Sequence, residues 1–240
     1  MTEARSSSAA TLDREEVRQF DRIAAEWWDA NGKFRPLHQI GPARIEYARD
    51  RIAEHFGRTI KGMRPLAGLS LVDIGCGGGL VAEPMSRLGA EVTGLDPSAE
   101  TIRAAERHAA AGGLPIAYRQ GLAEDLAAEG ARFDVVLCLE VVEHVPDVGQ
   151  FVKLLSGLLA PGGLMVLSTI NRTVKAYALA IVGAEYVLRW LPVGTHKWER
   201  FVTPDELARH LEVAGLAMSE PTGVVYSPLT DTWRLDRDTD

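Results

Sequence analysis

The sequence predicts an α/β fold in which a mostly parallel sheet is covered by helices on both faces. Three observations carry that expectation. Short apolar runs alternate with amphipathic helical segments at the spacing of parallel crossovers. The first of these strands stops at the glycine-rich turn Gly75-Cys76-Gly77-Gly78-Gly79. The 240 residues are 46% apolar and 25% charged, a balance that suits one mixed domain with a substantial core.

Residues 1–12 read as a disordered polar tail, and residues 13–240 as a single domain that opens with a helical cover over residues 13–60. In Asp13 to Trp28, Val17, Phe20, Ile23, Ala24 and Trp27 recur at three-and-four spacing, which specifies an amphipathic helix. Pro36 and Pro42 are expected to break the chain before a second helix from Pro42 to Phe56, with Ile45, Ala48, Ile52 and Phe56 along one stripe. The alternating series then runs through strand Leu69–Ile74, helix Leu80–Leu88, strand Glu91–Leu95, helix Ala99–Ala111, strands Ile116–Gln120 and Phe133–Cys138, helix Val148–Leu159 and strand Gly163–Thr169. Thr203 to Ala214 reads as a further helix, with Thr203 as N-cap, Glu206 at the capping-box position and Gly215 beyond its end. Late strands near Leu216–Glu220 and Gly223–Tyr226 are expected to add an antiparallel edge.

Residues 171–200 interrupt the alternation with an apolar helix candidate and then Pro192, Gly194, His196 and Trp198. Such a stretch is too long for a simple connection, and next to the carboxyl ends of parallel strands it is placed to cover a substrate. The competing reading is a helical hairpin that completes the core.

Composition narrows the function. Two cysteines, Cys76 and Cys138, exclude a disulfide-built scaffold and read as ordinary intracellular thiols. A formal charge of −7, from 33 acidic and 26 basic side chains, argues against nucleic acid as the main partner. Residues 1–11 show neither a secretory signal nor an anchor, and the apolar run Ala176–Ala184 falls short of the roughly 20 residues that cross a bilayer, so a cytoplasmic protein is expected.

Gly75, Gly77 and Gly79 remove side chains where the chain turns from strand to helix, letting a ligand approach backbone N–H groups. Asp96 ends the next strand, 21 residues after Gly75, where a carboxylate can accept hydrogen bonds from both hydroxyls of a ribose. A nucleotide-like cofactor fits this pair. The run Asp73-Ile74-Gly75-Cys76-Gly77-Gly78-Gly79 resembles the first motif of the class I S-adenosylmethionine-dependent methyltransferases, more closely than the fingerprint of dinucleotide-binding proteins. That resemblance implies a Rossmann-like fold, with Gly75, Gly77 and Gly79 beneath the methionine part of S-adenosylmethionine, Asp96 on its ribose, Leu95 and Pro97 beside adenine, Glu124 at the adenine edge and Leu139 against the cofactor. Asp73 belongs to the same cofactor motif, with turn organisation as its alternative role.

Glu140, Glu143 and His144 follow the strand Phe133–Cys138 at spacing i, i+3 and i+4, which gathers them on one side if Leu139 to Val145 makes a helical turn. Oxygen and imidazole ligands suit a divalent ion, magnesium included, which could bind two adjacent phenolic oxygens and stabilise one as phenolate. His144 could instead accept the phenolic proton as a base, and the sequence does not choose between the roles.

Five further stretches carry a narrower resemblance: Glu26-Trp27-Trp28-Asp29, Phe34-Arg35-Pro36-Leu37-His38, Glu143-His144-Val145-Pro146-Asp147, Ser168-Thr169-Ile170-Asn171-Arg172, and Gly183-Ala184-Glu185-Tyr186 followed by Gly194-Thr195-His196. With them the chain, from Phe20 to Trp233, is similar to the ubiquinone-biosynthesis O-methyltransferases. The resemblance implies O-methylation of a polyprenylated hydroxyphenol and of demethylubiquinol, with Glu140, Glu143 and His144 as magnesium ligands and Arg44 on the methionine carboxylate. It further implies a membrane-associating insertion, with Asn171, Tyr177, Tyr186, Trp190 and His196 facing substrate or membrane. Anionic lipids at the inner membrane and an assembly of ubiquinone-biosynthesis proteins are the partners that follow. A methyltransferase of another small phenolic substrate, a nicotinamide-dependent oxidoreductase and a noncatalytic lipid-bound scaffold are the competing functions.

Overall fold

The computed structural model describes residues 17, 18, 21, 23–177, 198–227 and 230–240. Of the first expected helix, residues 17, 18 and 21 are helical and Ala24–Glu26 is a 3-10 turn. Helix α1 covers Arg35–His55, starting before the break expected at Pro36 and Pro42. The correction has a simple cause: Pro36 lies in the first turn, where a missing N–H costs nothing, while Pro42 is carried inside a helix that is anchored by the buried Ala48, Ile52 and Ala53.

Five strands, β1 (Ser70–Ile74), β2 (Glu91–Asp96), β3 (Ala117–Gln120), β4 (Phe133–Leu139) and β5 (Leu159–Ser168), form one sheet in the order β3-β2-β1-β4-β5. Every neighbouring pair is parallel. Between them lie helices α2 (Ala82–Arg87), α3 (Ala99–Ala111), α4 (Ala123–Ala128) and α5 (Val148–Ser156), and α6 (Pro204–Val213) follows the sheet. Alternation along the strands separates two cores. Leu71, Val135 and Leu137 pack with Ala48, Ile52 and Met85 on one face, whereas Val72, Ile74, Val136 and Cys138 pack with Leu126, Phe151 and Leu155 on the other.

The register aligns the carboxyl ends. Ile74 pairs with both Leu95 and Cys138, and Leu139 pairs with Ser168, so β1, β2, β4 and β5 all finish at one edge. After β1 the chain builds outward through β2 and β3, then crosses to β4 on the other side, which opens a crevice beyond β1 and β4.

Late in the chain the expectation needs correcting. Residues 216–220 are not a strand, and β6 (Gly223–Ser227) pairs antiparallel with β7 (Thr232–Asp236) as a separate two-stranded ribbon rather than as an edge of the main sheet. Residues 178–197 of the expected insertion lie outside the described residues. No helix among the described residues is long and apolar enough to cross a membrane.

Candidate functional site

Past the carboxyl end of β1, Gly75, Gly77 and Gly79 all take positive φ, of 70°, 53° and 93°. That backbone is left-handed and favours glycine, and space forbids a side chain as well: a Cβ on Gly75 would lie 2.5 Å from Val141, and one on Gly77 2.1 Å from the Trp27 ring. The turn is fastened to β2, because the N–H groups of Gly75 and Cys76 donate to the Leu95 carbonyl and the N–H of Gly77 donates to Asp96 Oδ2. Asp96 Oδ1 in turn accepts from the N–H of Ser98, the N-cap of α3.

This turn borders a cavity of about 280 Å³ lined by Arg44, Asp73, Gly75, Gly77, Leu95, Asp96, Pro97, Leu139, Glu140, Glu143 and His144, with Trp27 and Phe34 in its wall. Both families of residues singled out in the sequence, those for the donor and those for the acceptor, therefore face one space. Gly79 and Glu124 do not line it: a Cβ on Gly79 would meet Tyr118, and Glu124 sits in the first turn of α4 while its neighbours Gly121, Leu122 and Ala123 reach the cavity. Asn171 donates to the Thr239 carbonyl, and Tyr177 stands edge-on to Trp198, so neither contributes to the cavity wall. Tyr186, Trp190 and His196 lie outside the described residues.

The carboxylates here are unusually placed. Asp73 is buried, and its Oδ2 has no hydrogen-bond partner among the described residues. Burial, and then the charge of Asp96, raise its pKa from 3.8 to about 7. Asp96 is raised to about 6, again chiefly by burial. Glu143 is also buried, its Oε2 accepts from the Thr169 hydroxyl at 3.1 Å, and its Oε1 has no partner among the described residues. Burial first and the Glu140 charge second raise it to about 7.

Glu140 differs from its expected setting. It follows the end of β4 with φ 56° and only Val142–His144 forms a 3-10 turn, so the continuous helical turn from Leu139 to Val145 does not exist. Its Oε1 pairs with Arg44 Nη2 at 3.1 Å and accepts from the Ser168 hydroxyl at 2.7 Å. Ser168 and Thr169 thus hold the two glutamates. The sequence marked these hydroxyls only as part of a stretch that carries the resemblance, without a role, and the parallel register that seats Ser168 beside Leu139 brings them there.

Among the described residues no group of three His, Cys, Asp or Glu side chains is assembled to hold a metal ion. Two of the expected ligands retain the right chemistry: the partnerless oxygen of Glu143 is a hard anionic donor, and the His144 imidazole lines the same cavity, while Glu140 is engaged by Arg44.

Residues 41–220 match the family model described as a methyltransferase domain. The described fold also resembles solved methyltransferases, among them magnesium protoporphyrin IX methyltransferase from Synechocystis PCC 6803 with bound SAH, at TM-score 0.63 and 20% identity over 90% of this chain and 94% of that one. A possible histamine N-methyltransferase from Thermotoga maritima gives TM-score 0.63 at 16% identity, covering 92% of each chain. Likeness at this distance speaks for the fold. Full-length relatives speak for more: the ubiquinone biosynthesis O-methyltransferase of Azorhizobium caulinodans is 52% identical over 98% of this chain and 93% of its own length, and that of Methylobacterium sp. (strain 4-46) is 55% identical over 95% and 92%. With the glycine turn, Asp96 and the paired glutamates set around one cavity, the chain belongs to the ubiquinone biosynthesis O-methyltransferases.

Proposed function

We propose that the protein transfers a methyl group from S-adenosylmethionine to a ring oxygen of polyprenylated catechol-type intermediates of ubiquinone synthesis, both a 2-polyprenyl-6-hydroxyphenol and demethylubiquinol. The observation that carries the acceptor half of this reading is Glu143: a buried carboxylate with a partnerless oxygen and a pKa near 7, in the cavity that also holds the donor residues. A base poised near neutral pH is matched to a phenolic proton.

The donor is zwitterionic at its methionine end, and the cavity offers a group of each sign for it. Arg44 suits the carboxylate and the partnerless Oδ2 of Asp73 suits the ammonium, while Asp96 retains lone pairs for the ribose hydroxyls beside its bonds to Gly77 and Ser98. When bound, S-adenosylmethionine supplies a methyl carbon on a positive sulfur, and the acceptor oxygen takes that carbon in line as the C–S bond breaks, leaving a neutral thioether. Glu143 takes the phenolic proton at Oε1, and Thr169 keeps the other oxygen of that carboxylate turned away from it. Apolar walls, Val141 and Phe151 among them, exclude water that would compete for the methyl group.

Magnesium would be an alternative to that direct proton transfer: Glu143 and His144 would hold it, Glu143 Oε1 would then be a ligand instead of the proton acceptor, and the ion would supply positive charge to a phenolate and its neighbouring oxygen. His144 then serves as a ligand, and in the metal-free alternative as a second proton acceptor. Association with a membrane is supported by Val174 and Tyr177, which are exposed at the start of the insertion, while Lys175 between them is paired with Asp238 at 2.6 Å and would have to exchange that partner for an anionic headgroup. A prenyl tail left in lipid would give the protein a reason to visit that surface.

The test is transfer of a labelled methyl group from S-adenosylmethionine to a prenylated catechol, with and without magnesium. Transfer that falls at least a hundredfold in Glu143→Gln supports the reading, on the usual scale of about 10²–10⁴ for a lost acid–base group. Wild-type protein that binds S-adenosylhomocysteine yet methylates no prenylated catechol overturns it.

A further inference from the structure

We propose that Trp28, held in place by His108 and the buried Glu83, is a positioning residue for the methyl donor, because its indole fixes the glycine turn on which the donor lies. The inference rests on the donor site assigned above.

A turn with three left-handed glycines has little stiffness of its own. Its N–H groups are tied to β2, to Asp96 and to the Cys76 carbonyl, and its Gly77 and Gly79 carbonyls accept from the Cys76 thiol and the Glu83 N–H, which leaves the Gly78 carbonyl to be secured from outside the turn. The Gly78 carbonyl accepts a hydrogen bond from Trp28 Nε1 at 2.9 Å, fifty positions away in sequence. The indole plane is set in turn. It lies parallel to the His108 ring, with centroids 3.4 Å apart and 6° between planes. His108 Nδ1 is 2.5 Å from Glu83 Oε1, and Glu83 Oε2 pairs with Arg87 at 2.9 Å. Glu83 has no exposed surface, so it needs both partners to remain buried, and that need pins the imidazole in one orientation.

The chain of contacts from α2 through α3 to the cover and the turn has an effect beyond Gly78. Trp27, next in sequence, lies against Gly77 and Gly78 and forms part of the cavity wall. Fixing the Trp28 ring therefore also fixes a wall of the donor cavity, although Trp28, His108 and Glu83 do not line it. Their action is indirect, through the backbone that meets the donor.

The experiment measures S-adenosylhomocysteine binding by titration calorimetry on the full chain, with melting temperature and the KM of each substrate alongside. Trp28→Phe keeps an aromatic ring on His108 and removes the N–H. One neutral hydrogen bond of about 1 kcal/mol corresponds to roughly fivefold weaker donor binding, with a larger rise in donor KM than in acceptor KM. His108→Gln keeps a polar partner for Glu83 but removes the stacked ring, and is expected to weaken donor binding in the same sense. Unchanged donor affinity in both folded variants overturns the proposal, as does a fall in melting temperature with donor and acceptor KM moving together. If the wild type itself fails to bind S-adenosylhomocysteine, it is the donor-site reading that fails.

Discussion

Asp73→Asn separates what the cavity costs the fold from what it gives the donor. In the ligand-free protein the Asp73 carboxyl is buried, with one oxygen unpartnered, and holds its proton up to about pH 7, whereas an unfolded chain releases it near 3.8. Between those values the folded state binds more protons than the unfolded state. The contribution of this group is therefore most favourable below pH 3.8 and is lost as pH rises through about 7. A shift of about three units, at 1.4 kcal/mol each, makes the ionised side chain a burden of about 4 kcal/mol above neutrality. Asparagine has nearly the same shape, keeps an oxygen for the Ala82 N–H that now bonds Asp73, and cannot ionise. Urea unfolding of the ligand-free protein should show the variant and wild type nearly equal at pH 4.5, with the variant more stable by a few kcal/mol at pH 8.5. Donor binding should move the other way: wild-type affinity for S-adenosylhomocysteine rises as pH passes 7, while the variant binds more weakly and with a flatter pH profile. A stability difference independent of pH would refute the claim that a buried charge at this position opposes folding.

Two further outcomes follow from the same cavity. Gly77→Ala puts a Cβ at positive φ and 2.1 Å from the Trp27 ring, so beyond a backbone cost of about 1–2 kcal/mol it should displace that wall; a melting temperature lower by several degrees and loss of S-adenosylhomocysteine binding are expected, and intact binding would show that the turn tolerates the change. Glu140→Gln removes the anion that now engages Arg44 at 3.1 Å, so the donor carboxylate should meet less competition and calorimetric affinity should tighten by roughly fivefold, the scale of about 1 kcal/mol; weaker donor binding would mean that Glu140 helps rather than competes.

What could be read from the sequence was whatever local chemistry dictates. Helix α3 occupies Ala99–Ala111 as expected, because Ser98 caps it by accepting from the Thr101 N–H. The capping box of α6 forms in both directions between Thr203 and Glu206. The glycine turn and Asp96 were legible for the same reason, since a strand end, a turn and the next strand end are joined by short chain. Pro36 misled because a proline reads as a breaker until its place in the first turn is known. Helix α4 was missed because six residues are too few for a period to emerge, and β7 because its pairing with β6 is a choice between two edges that the sequence does not rank.

The acceptor side was only partly legible, and the reason is physical. Spacing i, i+3, i+4 gathers side chains only on a continuous helix, and Glu140 leaves the helical region altogether. Its non-glycine left-handed backbone costs on the order of 1 kcal/mol, which Arg44 and the Ser168 hydroxyl offset from two different elements. Glu140 is thereby committed to Arg44, and Glu143, held by Thr169 and by a backbone N–H, keeps one oxygen with no hydrogen-bond partner among the described residues. Two glutamates that look equivalent in sequence are thus divided by their partners: one is paired with Arg44, the arginine proposed for the donor's carboxylate, and the other is left with the raised pKa and the open oxygen that the proposed proton acceptor requires.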